Sequence, residues 1–394
     1  MGNAILGNAK KAKNDEFYTQ YSDIEKEINA YLEFNPDVFR GKTVLLPCDD
    51  PEWSNFTKYF AQRFETLGLK KLISTSYAPN SKPAEISYQP TLFEMESEEF
   101  SETKTQTNGK IFTLTEDMSG DGIIDVNDLE WKYLEGDGDF RSAEIKALRD
   151  EADIIVTNPP FSLFRQFLAW IVEAEKQFLT IGNINSITYK EVFPLIKDTK
   201  IWLGNNSRVN GGAMFYEIPE SIANLDQIRE IKTNEAGKKV FMTRVQGVRW
   251  FTNLDHGRRH EPLALMTETE NLKFSKSLPS DGYLRYDNYG AIEVPRVEAI
   301  PSDFYGLMGV PISLLDKYNP EQFEILGTSD NGLIDDCYKI TKGLTEKFVD
   351  DYYKAGGTGA YKAGNPTAGL YIDNVAKMSY KRIFIRHKGS SIEG

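Results

Sequence analysis

The apolar positions of this chain change period along its length. Four short runs carry apolar or β-branched residues with little polar alternation: Thr43-Val44-Leu45-Leu46, Lys71 to Ser76, Asp153 to Thr157, and Gln177 to Ile181. Runs of this length bounded by polar residues predict strands buried on both faces. Between them the spacing lengthens to three and four. Asp23 to Phe34, Thr57 to Leu67 and Ser162 to Lys176 each predict an amphipathic helix. Gly68 stands where a left-handed residue would end the second, and Ser162 where an N-cap would open the third. Strands alternating with helices predict parallel pairing through right-handed crossovers, hence a doubly wound α/β sheet. Further on, Ile187 to Ile196 reads as a helix. Lys200 to Leu203, Ala213 to Ile218 and Gln246 to Thr252 read as strands that close the sheet in a hairpin.

The third run ends abruptly in Asn158-Pro159-Pro160-Phe161. Neither proline can donate to a ladder, so the strand stops and a strand-to-helix turn follows. In an open α/β sheet such turns lie at the carboxyl ends of the strands, where ligands bind. Each proline lacks an N–H but keeps its carbonyl oxygen, and the residue before a proline is pushed towards extended backbone. The Asn158 side-chain carbonyl and the Pro159 carbonyl can therefore act as paired acceptors for a planar amino group. Phe161 offers a ring face for a heterocycle. Acceptors that hold a base's amine as it pyramidalises stabilise the transition state more than the ground state. The plainer reading is a Pro-Pro turn followed by a core Phe.

The turn resembles the catalytic motif of S-adenosylmethionine-dependent amino-methyltransferases. With Phe in the fourth place it is most similar to the adenine-specific DNA enzymes. Other segments carry the same resemblance in chain order. Phe17-Tyr18-Thr19, ahead of the first helix, resembles the N-terminal cofactor motif. Asp50-Pro51 and Ser54-Asn55-Phe56 occupy the places of the first-strand turn, although no glycine lies between Pro47 and Phe56. With that departure, the whole segment Asp49-Asp50-Pro51 through Ser54-Asn55-Phe56 to Gly68-Leu69-Lys70-Lys71-Leu72-Ile73 resembles the EcoRI-type branch, without a role for Asp49 itself. Asp139-Phe140 resembles the pair whose carboxylate accepts from the cofactor's adenine amine. The order is the family's γ-type arrangement, with target recognition last. The resemblance implies a Rossmann-like methyltransferase domain over 1–255 and a target-recognition region over 256–394. It implies cofactor binding by Phe17, Tyr18, Thr19, Asp50, Ser54, Asp139, Phe140 and Asn158, and catalysis by Asn158, Pro159, Pro160 and Phe161. After the second strand, Ser74-Thr75-Ser76-Tyr77 offers no acid, so the ribose partner stays unassigned.

Charge changes the picture locally. The net charge of -13 opposes nucleic-acid binding at first sight. However, Ala78 to Gly138 holds 14 Asp+Glu against 4 Lys+Arg, so nearly all the excess sits in an acidic insertion, 78–138. Within it, Asp117, Ser119, Asp121, Asp125 and Asp128 fall at positions 1, 3, 5, 9 and 12 of a calcium-loop pattern, with Asp for the usual final Glu. The alternative is an acidic turn leading into a helix at Leu129 to Leu134. Beyond Asp255 the texture turns basic and aromatic, in Arg258-Arg259, Tyr283, Tyr286, Tyr289 and Lys381 to Lys388, which suits base and phosphate contacts as a segment. Cys48 and Cys337 give no disulfide framework or zinc spacing. Met1 to Lys13 reads as a mobile basic arm without an apolar leader, and Asn206 to Gly212 as a mobile loop near the active face.

The expected function is methyl transfer from S-adenosylmethionine to N6 of a flipped adenine in double-stranded DNA. The expected setting is the bacterial cytoplasm at the nucleoid, without membrane contact, either as the modification partner of a restriction endonuclease or as an orphan. An RNA or protein-glutamine amino-methyltransferase is the alternative, and a DNA-binding module that merely keeps the fold is a third reading.

Overall fold

The four apolar runs form the centre of one sheet. The computed structural model describes residues 18–49, 54–78, 99–205, 213–218, 228–233, 239–287, 290–329, 344–365, 369–378 and 381–388. The first elements are β1 (Tyr18–Thr19), α1 (Tyr21–Phe34), β2 (Thr43–Leu46), α2 (Asn55–Gln62) and β3 (Lys71–Thr75). They are followed by β4 (Lys110–Leu114), β5 (Glu130–Tyr133), α3 (Ala143–Glu151), β6 (Ile154–Thr157), α4 (Phe164–Glu173) and β7 (Gln177–Asn183). After these come β8 (Trp202–Leu203), β9 (Ala213–Ile218), β10 (Ile228–Thr233), β11 (Lys239–Gln246) and β12 (Val248–Thr252).

The large sheet has the order β5-β4-β3-β2-β6-β7-β12-β8. Strand β2 pairs in parallel with β3 on one side and β6 on the other, and β6 pairs in parallel with β7. Chain direction around the sheet therefore reverses between β2 and β6, which opens a crevice at their carboxyl ends. This is the Rossmann-like arrangement. All four residues of β2 and of β6 are buried, as helices on both faces require. One face carries Ile24, Ile28 and Tyr31 of α1 with Phe56 and Phe60 of α2, packed on Val44, Leu46 and Val156. Each such side chain stabilises the fold by about 1.5–3 kcal/mol relative to leaving it in water. Helix α2 is briefly interrupted at Arg63 and the chain turns at Gly68, whose φ of 63° is the left-handed value that favours glycine.

Three local expectations change. Leu129 to Leu134 is not a helix. Glu130–Tyr133 is an edge strand in which Trp131 and Tyr133 are half-buried while Glu130 and Lys132 are exposed. Trp131 stacks on Phe112 of β4, and that cross-strand contact decides the state of a segment too short to show a period. The acidic window thus supplies two antiparallel strands to the main sheet rather than standing wholly outside it. Ala213–Ile218 leaves the main sheet for a second one, β1-β9-β11-β10, where it captures β1 through Thr19 opposite Tyr216. Finally, α4 starts at Phe164 with Leu163 as its N-cap, and no side chain caps it, so Ser162 does not take that role.

The chain divides into two compact units, 1–186 with 202–257, and 187–201 with 258–394. The second unit takes in 187–201, whose helix is the short α5 (Phe193–Lys197) rather than Ile187 to Ile196. It also holds α6 (Glu268–Phe274), β13 (Ala291–Glu293), β14 (Leu307–Pro311), β15 (Phe323–Thr328), α7 (Glu346–Lys354), β16 (Leu370–Ile372), β17 (Val375–Lys377) and β18 (Arg382–His387). Its main sheet runs β13-β14-β18-β15. Much of the basic and aromatic texture there is engaged internally. Arg382 forms a bidentate pair with Glu293, Arg386 pairs with Glu324, and Lys381 donates to Thr188. The Tyr283 hydroxyl donates to the Ala299 carbonyl, and Tyr286 is buried. Among the described residues, no helix is long and apolar enough to cross a membrane.

Candidate active site

Strand β6 delivers its last residue, Thr157, fully buried to the crevice beside β2. Asn158 follows half-buried, Pro159 buried, and Pro160 and Phe161 half-buried. The two proline carbonyls differ. That of Pro160 accepts from the Leu163 N–H at 2.9 Å, whereas no described residue donates to that of Pro159. One acceptor of the expected pair is therefore left open by the backbone. Phe161 leans on the core of the first unit without being swallowed by it.

The N-terminal motif reaches the same turn. The Asn158 Nδ2 donates to Thr19 Oγ1 at 3.3 Å, and the Asn55 Nδ2 donates to the Thr19 carbonyl at 2.8 Å. Thr19 is thus a buried junction between β1, the start of α2 and the turn after β6. An amide that gives its N–H to Thr19 has its Oδ1 on the other branch of the amide plane, the polarity an amine acceptor requires. Phe17 and Asp50 lie outside the described residues, and for Tyr18 only the backbone is described.

Ser54 is held differently from expectation. It caps α2, accepting the Phe56 N–H at 3.1 Å, and donates to Asp49 Oδ1 at 2.8 Å. Its hydroxyl is engaged within the protein, so its offer to a ligand is small size rather than a hydrogen bond. The acid that meets Ser54 is Asp49. Asp49, 6% exposed, accepts from Ser54 through Oδ1 and from the Thr157 hydroxyl through Oδ2 at 2.5 Å. Its own carbonyl accepts from Ser74 Oγ at 2.8 Å, and Ser74 Oγ lies 2.9 Å from Thr57 Oγ1 of α2. Sequence reading gave no role to Asp49 or Thr157. The available signal was a doubled acid at a strand end lacking glycine, opposite a buried strand ending in a lone hydroxyl.

The loop before α3 packs on the end of β3. The Ala78 N–H donates to the Asp137 carbonyl at 2.7 Å. Gly138, with φ of 86°, comes so close that a Cβ there would stand 2.2 Å from the Ser76 carbonyl oxygen. This approach sets Asp139 close to the carboxyl end of β3. Hydrogen bonds from the Arg141 guanidinium hold the Asp139 carboxyl below the usual carboxylate range, so it is an anionic acceptor at neutral pH. Arg141 also reaches Gln166 Oε1 of α4 at 3.3 Å. Phe140 is buried edge-on against Phe167 and Trp170, which makes it the anchor of the loop. Burial and the Asp137 carboxylate push the Tyr77 hydroxyl's pKa up, leaving it a neutral donor.

The model of the family described as adenine-specific methyltransferase EcoRI matches residues 5–388. The chain belongs to that family. Three curated relatives agree with the assignment. The type II methyltransferase M.EcoRI of Escherichia coli is 41% identical over 345 residues, 88% of this chain and 91% of its own. M.MpnI of Mycoplasma pneumoniae is 33% identical, covering 82% of this chain and 84% of its own. M.MgeORF184P of Mycoplasma genitalium is 33% identical over 82% and 85%. No solved structure matches. The chain is accordingly an adenine-specific methyltransferase of the EcoRI type, and membership implies use of S-adenosylmethionine.

The calcium expectation finds no support in the loop's geometry. Among the described residues no group of three or more ligating side chains is placed to hold a metal ion. The loop carboxylates close on backbone instead. Asp117 accepts from Gly120 and Gly122, Asp121 from Ile123, and Asp125 from Asn127. Asp128, the twelfth position, accepts from Met118, Ser119 and Asp125, and these N–H groups hold its pKa down. Ser119 donates to Asp117 rather than facing a common centre. Millimolar calcium or excess chelator should leave the melting temperature unchanged. A rise of several degrees with calcium, in a thermal scan, would restore the loop as a metal site.

Proposed function

We propose that this enzyme methylates DNA, moving the methyl group of S-adenosylmethionine to N6 of an adenine turned out of the duplex. The observation that carries the reading is the Asn158-Pro159 corner, which stands at the switch point of the sheet with the Asn158 amide turned by Thr19 and the Pro159 carbonyl open. The relatives carry type II methyltransferase names, which supports DNA as the substrate class.

The chain's own groups suit the cofactor. A crevice at the ends of β2, β3 and β6, closed by Thr19 and with the Asp139 carboxylate close to the end of β3, offers an anionic acceptor for an adenine amine and polar backbone for an amino-acid end. Thr19, Asp139 and the turn after β2 would hold it, with Phe17, Tyr18 and Asp50 assigned there by family resemblance. When bound, the cofactor supplies a methyl group activated on a sulfonium. The protein supplies orientation. Asn158 Oδ1 and the Pro159 carbonyl accept from the two amine hydrogens of the target, so that its lone pair turns out of the ring plane towards the methyl carbon. Phe161 stacks on the extruded base and offsets part of the unstacking cost of a few kcal/mol. Pro160 stiffens the corner. The amine nitrogen becomes strongly acidic once methylated, so the excess proton can leave through Asn158 Oδ1 or water without a dedicated strong base. Alignment accounts for much of the acceleration. The second unit would read the target site as a segment, with no individual base reader assigned.

The test is incubation of the purified chain with methyl-labelled cofactor and duplex DNA, RNA or protein, followed by single-molecule sequencing of DNA from cells expressing it. N6-methyladenine in one sequence context is the expected outcome. Label in RNA or in glutamine side chains alone would overturn the reading.

A further inference from the structure

We propose that Asp49 and Thr157 are a positioning pair that sets where Asn158 stands, so that the methyl-transfer step depends on them more than cofactor capture does. The inference rests on the proposed role of Asn158 and adds two residues that neither motif resemblance nor family membership assigns.

The argument starts from the split in the sheet. Strands β2 and β6 are parallel neighbours, with Val44 beside Ile154 and Leu45 beside Ile155, and there is no further ladder pairing towards their carboxyl ends. Beyond Leu45, where Pro47 brings no N–H to a ladder, the crevice lies between the two strand ends. The Asp49–Thr157 hydrogen bond, 2.5 Å long, ties them together again across it. Both residues are buried, Thr157 completely. A buried carboxylate is costly unless several donors satisfy it, and here the donors come from both walls of the crevice. Ser54 donates from the start of α2 and Thr157 from the end of β6, while Ser74 of β3 grips the Asp49 carbonyl. Thr157 is also held from its other side, since its carbonyl accepts from Thr180 Oγ1 of β7 at 3.1 Å. The residue after Thr157 is Asn158, and the next two are prolines with φ fixed near -65°. Such a corner has little freedom to absorb an error at its base. A shift of Thr157 is passed to the Asn158 amide, and misplacement of reacting groups by about 1 Å can cost about 100-fold in rate.

The turn after β2 also lacks the glycines that would let backbone alone shape it. A side-chain clamp does that work instead. An amide in place of the carboxylate cannot accept from both hydroxyls through separate oxygens. Ser54 Oγ already accepts the Phe56 N–H, so its proton must go to residue 49. Asn has one acceptor oxygen, and Thr157 would then face its NH₂ group with the polarity reversed.

The experiment compares Asp49→Asn, Thr157→Val, Thr157→Ser and the Asp49→Asn/Thr157→Val double variant in single-turnover methyl transfer to duplex DNA, with cofactor affinity measured separately at equilibrium. Asp49→Asn and Thr157→Val should each slow the transfer step by about 10–100-fold, with a several-fold smaller loss of cofactor affinity. Thr157→Ser keeps the hydroxyl and should stay within about threefold in rate. The double variant should be no slower than the worse single one, because both lose the same bond. Wild-type rates in both single variants, or a double variant slowed by the product of the two, would overturn the pair. So would losses of rate that track equal losses of cofactor affinity and melting temperature, which is the mark of a merely structural contact. If the wild-type chain moves no methyl group to adenine, the proposed function falls and the pair's role with it. An active wild type with unaffected variants removes the pair alone.

Discussion

Asn158→Ala should lower the single-turnover methylation rate by at least roughly 10²–10³-fold, the loss seen when one preorganised hydrogen-bonding group is removed from a reacting centre. Cofactor affinity should change by less than about threefold. The asymmetry follows from what the side chain touches. Its Nδ2 is directed to Thr19, so the proposed work of Oδ1 is to hold the amine in the orientation reached only as nitrogen turns pyramidal. An interaction made mainly in the transition state appears in the rate and not in ground-state binding. Asn158→Asp keeps an acceptor but cannot donate to Thr19, so it should also be impaired. Full activity in Asn158→Ala would remove the assignment outright. A parallel loss of cofactor binding would make the residue part of the cofactor's floor rather than the amine's cradle.

The largest stability effect is expected at Glu293→Ala, which should destabilise the second unit by about 3–5 kcal/mol. Glu293 and Arg382 are both nearly buried, with side chains 11% exposed, and Arg382 Nε and Nη2 donate to the carboxylate in a bidentate pair. Removing the acid takes away the carboxylate that faces this nearly buried guanidinium, and the residue cannot neutralise by losing a proton. The pair joins the end of β13 to the start of β18, so its loss loosens the sheet order of that unit. Glu293→Leu combined with Arg382→Met removes both charges and should lie much closer to wild type, because the desolvation of the pair offsets most of its attraction. Chemical denaturation followed by fluorescence measures both variants. A Glu293→Ala protein within about 1 kcal/mol of wild type would mean that water reaches Arg382.

Part of this architecture was open to inspection in the chain alone. The buried strands announced themselves as apolar runs because both their faces are covered, and Pro159-Pro160 marked where β6 must stop because no ladder survives two missing donors. Family membership was legible for a related reason. Motifs weak one at a time appear in one order, and a family match over residues 5–388 bears that order out. The methyltransferase identity and the Rossmann-like sheet follow from these local signals.

Other features have no local signal. Glu130–Tyr133 is a strand because Trp131 finds Phe112, which is 19 positions away in sequence. Ala213–Ile218 belongs to another sheet because β1 and β11 flank it. The loop Asp117 to Asp128 has the spacing of a metal site, but its carboxylates turn to backbone N–H groups, and composition cannot say which of two satisfactions a carboxylate takes. Basic residues near the chain end suggested phosphate contacts, yet Arg382 and Arg386 face Glu293 and Glu324, partners 89 and 62 positions away.

Asp49 and Asp50 mark the boundary most sharply. As neighbours they are chemically identical in the sequence, and family resemblance points to the second. Only the packing of β2 beside β6 brings Asp49 to Thr157 and Ser54. Periodicity and proline chemistry act over a few residues, so the order of residues alone was enough to say where strands end and what kind of corner follows Val156. Which side chains share that corner depends on strand order in space, because a hydrogen bond between residues 108 positions apart exists only after the sheet has formed.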